Sequence, residues 1–150
     1  MKKNRLLQLV FFAAAMFLYL PAIAQNESVV TLSGNAYITS GQTAFIDEDH
    51  CAIRNWSDKE TVISFYFRTY ESGQMKIALQ AKGKSQIEVS LLGKKKKVTL
   101  NSDAMSRIEL GTFKVKNPGY IKMDVRGVKI NEGSDFGSIE SVIVGGNVSP

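Results

Sequence analysis

The chain has 150 residues, carries 19 Lys and Arg against 14 Asp and Glu, and contains one His and one Cys. That length suits one domain with a sizeable core, the single cysteine excludes an internal disulfide, and one His with one Cys excludes a Cys/His zinc site. Three of the basic residues, Lys2, Lys3 and Arg5, precede position 6, so the remainder is nearly balanced in charge and lends no support to nucleic acid as a partner.

Those three cations lead into an apolar run over 6–20 and then the small-x-small triplet Ala22-Ile23-Ala24. This is the pattern of an export signal cleaved after Ala24. The expected limits are a signal peptide over 1–24, a polar lead-in over 25–28, one domain over 29–146 and a tail over 147–150. No later stretch is long and apolar enough to cross a membrane, so no transmembrane segment is expected after cleavage. The expected location is periplasmic, cell-surface or extracellular.

Short strand candidates follow at 29–32, 35–39 and 43–46. An acidic loop, Asp47-Glu48-Asp49-His50, leads to a further candidate at 52–56, and Ser57-Asp58-Lys59 reads as a turn. In the long strand over 60–70, Ile63, Phe65 and Phe67 point one way, while Ser64, Tyr66, Arg68 and Tyr70 point the other. Met75, Ile77 and Leu79 face inward in the next strand, and Ile87, Val89 and Leu91 in the one after. Turns are expected at Lys82-Gly83-Lys84 and at Gly93. A hairpin strand is expected over 97–100 and a polar connection over 101–106. The stretch 107–126 then reads as two strands around an Asn117-Pro118-Gly119 turn. Its first strand slips phase at Gly111-Thr112, as a β-bulge does. Its second sets Ile121, Met123 and Val125 against Lys122, Asp124 and Arg126. A loop over 131–137 precedes the last strand, 138–144. No sustained helical period is present, and many short one-sided strands joined by Gly and Asn turns predict an all-β, two-sheet antiparallel β-sandwich of jelly-roll type.

The chemistry-bearing candidates are few. Asp47, Glu48, Asp49 and His50 could serve a Ca²⁺ ion or a hydroxyl-binding rim, but the run lacks spaced calcium-loop ligands and reads more readily as a solvated turn. His50 and Cys51 are neighbours whose side chains diverge in extended chain, so they predict no nucleophile–base pair. Any hydrolytic scheme would rest on two carboxylates facing one cleft. Trp56 is either a stacking surface or a plug of the core. Tyr66 and Tyr70 share the polar face of their strand, and Tyr37 and Tyr120 are further exposed aromatics. Such rings can stack on a sugar while polar neighbours bind its hydroxyls. Lys94 to Lys97 would keep a sheet edge from aggregating.

The order of strands from Tyr66 onward, with the Ser72-Gly73 turn, Gly93, Pro118-Gly119 and the closing run from Gly137 to Val144, resembles a carbohydrate-binding module of the galactose-binding-like β-sandwich type. The segments 35–46 with Trp56, and 119–127, are similar to a secreted bacterial domain of unknown function that usually precedes a larger one. The resemblance implies a non-catalytic exported module with a glycan as partner. It also implies that the place of an acidic calcium ligand in the last strand falls on Glu140, which joins Asp47 and Glu48 as candidates for a structural Ca²⁺. The expected binding rim gathers the loops 47–50, 56–58 and 131–136. There Trp56 would stack, and Asp49, Asp58 and Asp135 would accept hydroxyl hydrogen bonds. The alternatives are an interaction sandwich without a small-ligand site and a carboxylate-based hydrolase.

Overall fold

A computed structural model describes residues 26–148, and the expected signal peptide over 1–24 lies outside them. The described residues form nine strands: β1 Ser28–Thr31, β2 Ala36–Ser40, β3 Phe45–Asp47, β4 Ala52–Arg54, β5 Val62–Thr69, β6 Gly73–Leu91, β7 Lys94–Val115, β8 Gly119–Ile130 and β9 Ser138–Gly146. All pairings are antiparallel. The chain is an all-β sandwich, as the period-two alternation requires once each strand must bury one face.

The long β6–β7 hairpin runs through both layers. The first part of β6 pairs with β9, from Met75↔Gly146 to Lys82↔Ser138, and the second with β8, from Ser85↔Ile130 to Leu91↔Met123. One layer is therefore β1-β9-β6-β7 and the other β2-β5-β8-β6-β7, while β3 and β4 form a separate ribbon.

Two expectations are corrected here. Lys82-Gly83-Lys84 does not end a strand, and 101–106 is not a connection between elements. Gly83, at φ 149°, adopts a backbone that side chains disfavour, so β6 bends between the layers and its ladder with β7 resumes beyond the bend. Opposite the bend, residues 103–105 bulge out between the paired Ser102 and Ser106. Sequence signals for a glycine bend and a glycine turn are alike; the partners on both sides decide which forms. The phase slip expected at Gly111-Thr112 is a bulge. Ile77 pairs with Gly111 and Ala78 with Glu109, leaving Leu110 unpaired in the ladder and buried in the core.

The bend preserves the period of two. Met75, Ile77, Leu79, Ala81, Ile87, Val89 and Leu91 all face the core across it. Against them lie Ile63, Phe65 and Phe67 of β5, Ile121, Met123 and Val125 of β8, and Val142 and Val144 of β9. Fully burying one such side chain stabilises the fold by about 1.5–3 kcal/mol. Phe136 enters the core from the loop before β9 and occupies the space a Cβ on Gly127 would need, its ring atoms lying 2.2–2.5 Å from that position. The lysine run opens β7. Lys96 crosses the open edge of the sandwich and donates its Nζ to the Leu110 carbonyl in the other layer at 2.7 Å, tying the two sheets together.

Candidate functional site

The outer face of the β2-β5-β8-β6-β7 layer collects the exposed tyrosines of the described residues. On β5, Ser64, Tyr66, Arg68 and the following Tyr70 point outward because Ile63, Phe65 and Phe67 take the core side. β2 places Tyr37 opposite Ser64, and β8 places Lys122 opposite Tyr66 and Tyr120 opposite Arg68. Tyr37 and Tyr66 meet edge to face, their centroids 5.9 Å apart. The Arg68 guanidinium lies 5.1 Å from the Tyr70 centroid and 5.7 Å from that of Tyr120. These four rings remain 36–80% exposed, with Tyr120 the most open. The face thus presents aromatic surface around a cation, with Tyr37, Tyr66 and Tyr120 held on strands and Tyr70 in the bend just after β5.

Its polar groups are ordered as well. Ser64 Oγ lies 2.7 Å from Thr39 Oγ1 and donates to Asp124 Oδ1 at 2.5 Å. The same carboxylate takes Lys122 at 3.0 Å, and hydrogen bonding to Asp124 raises the Lys122 pKa. Further along, Arg126 binds Glu88 at 2.6 Å and holds its carboxyl below the usual range. Arg68 has no carboxylate partner among the described residues.

Of the residues singled out from sequence, Tyr37, Tyr66, Tyr70 and Tyr120 come together on this face. The others do not join them. His50, Arg54, Asn55, Ser134 and Asp135 line a polar cleft of about 620 Å³ at the bend of β6, beside Lys82, Lys84 and Asp103. Two of the three expected loops, 47–50 and 131–136, therefore meet there. Asp135 accepts from the Gly137 amide at 2.9 Å, while Asp49 is exposed on its loop.

Trp56 and Asp58 are corrections. Trp56 is fully buried against Phe136, at 5.3 Å between ring centroids, so it offers no face to a sugar. The loop 131–137 folds over it, and the Phe136 amide donates to the Trp56 carbonyl at 2.8 Å. Asp58 spends both oxygens on its own turn: Oδ1 accepts the Thr61 amide at 2.6 Å, and Oδ2 accepts the Thr61 hydroxyl at 2.9 Å and that of Thr43. These bonds, that of Thr43 foremost, hold its carboxyl below the usual carboxylate range. Asp58→Ala is expected to lower stability at pH 7 by about 1–3 kcal/mol, because it strands the donors of buried Thr61. A lowered folded pKa means that this stabilisation is present above the unfolded value near ~3.9 and is lost as pH falls through the folded one. Urea melts of wild type and variant should therefore converge in acid. A gap that stays constant down to pH 2 would refute the assignment.

The candidate calcium residues do not gather either. Asp47 binds His50 Nδ1 at 3.0 Å and Arg54 Nε at 3.2 Å, and the His50 bond is the main cause of its lowered pKa. Glu140 stands exposed on β9. Among the described residues no three of His, Cys, Asp and Glu converge as a metal site, so Asp47, Glu48 and Glu140 do not form one coordinating group. His50 and Cys51 diverge as expected: the thiol, half-buried, lies 3.5 Å from Ser33 Oγ.

Arg68 is the site residue that sequence reasoning passed over. Its outward direction was legible from alternation, but its place between two tyrosines depends on β5 lying beside β8.

The family model described as "Domain of unknown function (DUF5077)" matches residues 30–149. No curated protein matches the chain. Among solved structures it is similar to the CBM36-1 domain of a multidomain xylanase from the hindgut metagenome of Trinervitermes trinervoides. The identity there is 14% and the TM-score 0.60, over 81% of this chain and 98% of that one. It is similar to CBM35 from Cellvibrio japonicus Abf62 at 14% identity and TM-score 0.57, over 83% and 96%. A Podospora anserina GH26-CBM35 β-(1,4)-mannanase matches at 12% identity and TM-score 0.60, over 83% of this chain and 28% of that one. The chain thus spans little more than a quarter of the mannanase. At these identities the likeness shows the fold, which is that of carbohydrate-binding modules.

Proposed function

We propose that this chain, which belongs to the DUF5077 family, is an exported, non-catalytic glycan-binding module that holds sugar on the tyrosine face of its larger layer. The observation that carries this reading is the gathering of Tyr37, Tyr66, Tyr70 and Tyr120 on one surface. Exposed rings on a rigid sheet lose little freedom on binding, and each can cover the apolar side of a pyranose while hydroxyls stay wet. The carbohydrate-binding-module fold of its neighbours supports the same reading. The leader over 1–24 supports export. The divergence of His50 from Cys51 supports binding without catalysis.

The test is affinity electrophoresis of the chain without its leader, in gels containing neutral and acidic polysaccharides. Tyr120→Ala and Tyr66→Ala are expected to weaken retardation about tenfold each, the loss of one stacked ring. Melting temperatures should hardly change, because both rings lie on the surface. Retardation that survives both substitutions would move the site elsewhere, and no retardation by any polysaccharide would favour a sandwich that docks protein partners.

A further inference from the structure

We propose that Arg68 makes the tyrosine face selective for glycans bearing carboxylates, that is, for uronate-containing polymers; this rests on the glycan-binding reading above. Two of the cations that β8 sets on this face already have carboxylate partners. Lys122 is engaged by Asp124 at 3.0 Å and Arg126 by Glu88 at 2.6 Å. Of the arginines among the described residues, Arg68 alone has no carboxylate partner. It lies beside two exposed rings, Tyr70 at 5.1 Å and Tyr120 at 5.7 Å, which restrict its planar guanidinium without consuming its charge.

A guanidinium that only decorated a surface would be expected to find one of the acids of its own sheet. Here those acids are taken by neighbours, and the free donors sit where a stacked sugar would place its substituents. A uronate carboxylate is planar and accepts two parallel N–H bonds, the geometry in which Arg exceeds Lys. A ring stacked on Tyr120 or Tyr70 would thus present its carboxylate to Arg68 in one step. The face would bind neutral sugars through its rings alone and uronates through rings and charge together.

The probes are polygalacturonate and its fully methyl-esterified form, which share a backbone and differ in charge. Wild type is expected to bind the acid at least tenfold more tightly than the ester. Arg68→Gln should bring affinity for the acid down to that for the ester, with the melting temperature unchanged. Arg68→Lys, which keeps the charge and loses the fork, should restore only part of the preference. Equal affinity of wild type for the two polymers, or an Arg68→Gln variant that keeps the preference, overturns the role of Arg68 and leaves glycan binding standing. Binding of neither polymer overturns the uronate class, and the neutral polysaccharides of the preceding experiment then judge the wider reading separately.

Discussion

Trp56→Ala is expected to cost about 3–5 kcal/mol of folding stability, the range for emptying a large aromatic site in a packed core. The indole is fully buried, stacked at a tilt of 43° on Phe136, and Phe136 in turn fills the hollow above Gly127. Removing the indole therefore unseats a second aromatic as well as its own contacts. A domain of this size has only about 5–15 kcal/mol to lose, so the variant should melt far below wild type. Trp56→Phe supplies the control. Among the described residues Trp56 Nε1 has no hydrogen-bond partner in its buried site, and phenylalanine removes that stranded donor while keeping most of the ring. It should cost much less than alanine. Urea unfolding followed by circular dichroism gives both values, and acrylamide should barely quench the wild-type indole. A loss below about 1 kcal/mol for alanine, or ready quenching, would refute the core assignment. Glycan affinity of the folded alanine variant should match wild type, since Trp56 touches no part of the tyrosine face.

Gly137→Ala is expected to be comparably damaging. Gly137 sits at φ 105°, a backbone open to glycine and disfavoured for alanine. A Cβ there would lie 2.1 Å from the Lys82 carbonyl oxygen and 2.9 Å from the Cα of Gly83. The obstacle is backbone, at the point where β6 bends between the layers. Nor can the segment shift away. Asp135 holds the Gly137 amide, Ser85 Oγ donates to the Phe136 carbonyl at 2.6 Å, and Ser138 Oγ accepts the Ile53 amide at 2.9 Å. Strain at the dihedral and overpacking each cost about 1–3 kcal/mol, so their combination should leave little folded protein at 37 °C. The readouts are soluble yield and the urea midpoint. A variant with a wild-type midpoint would show that the loop before β9 does not approach the bend so closely.

Both predictions concern the same corner of the molecule, where loop 131–137 closes over Trp56 and abuts β6. Gly83, Gly137 and Ser138 of this corner also line the polar cleft that holds His50 and Asp135. The tyrosine face stands apart from it, built on β2, β5 and β8. Damage to the corner should therefore lower stability while sparing sugar contacts in whatever remains folded, and changes to Tyr66, Tyr120 or Arg68 should do the reverse.

The sequence by itself determined what alternation can determine. Period two in β5, β6 and β8 decided which side chains enter the core, because adjacent residues of a strand must face opposite ways. The same rule turned Tyr66, Arg68 and Tyr70 outward, and the phase slip beside Gly111 marked a real bulge. Tertiary structure decided everything that depends on which strands become neighbours. β5 and β8 are distant in the chain, so the pairing of Arg68 with Tyr120 has no local signature. Trp56 stands where a short strand candidate gives way to a polar turn, and only the return of loop 131–137 from far along the chain covers it. Asp58 reads as a free acceptor until Thr43 and Thr61 are seen to occupy it. At Gly83 a turn and a bend share one local conformation, and the pairing of β6 with β7 on both sides of it, with β9 before and β8 after, selects the bend. Local chemistry limits how each residue can point; long-range packing chooses what it meets.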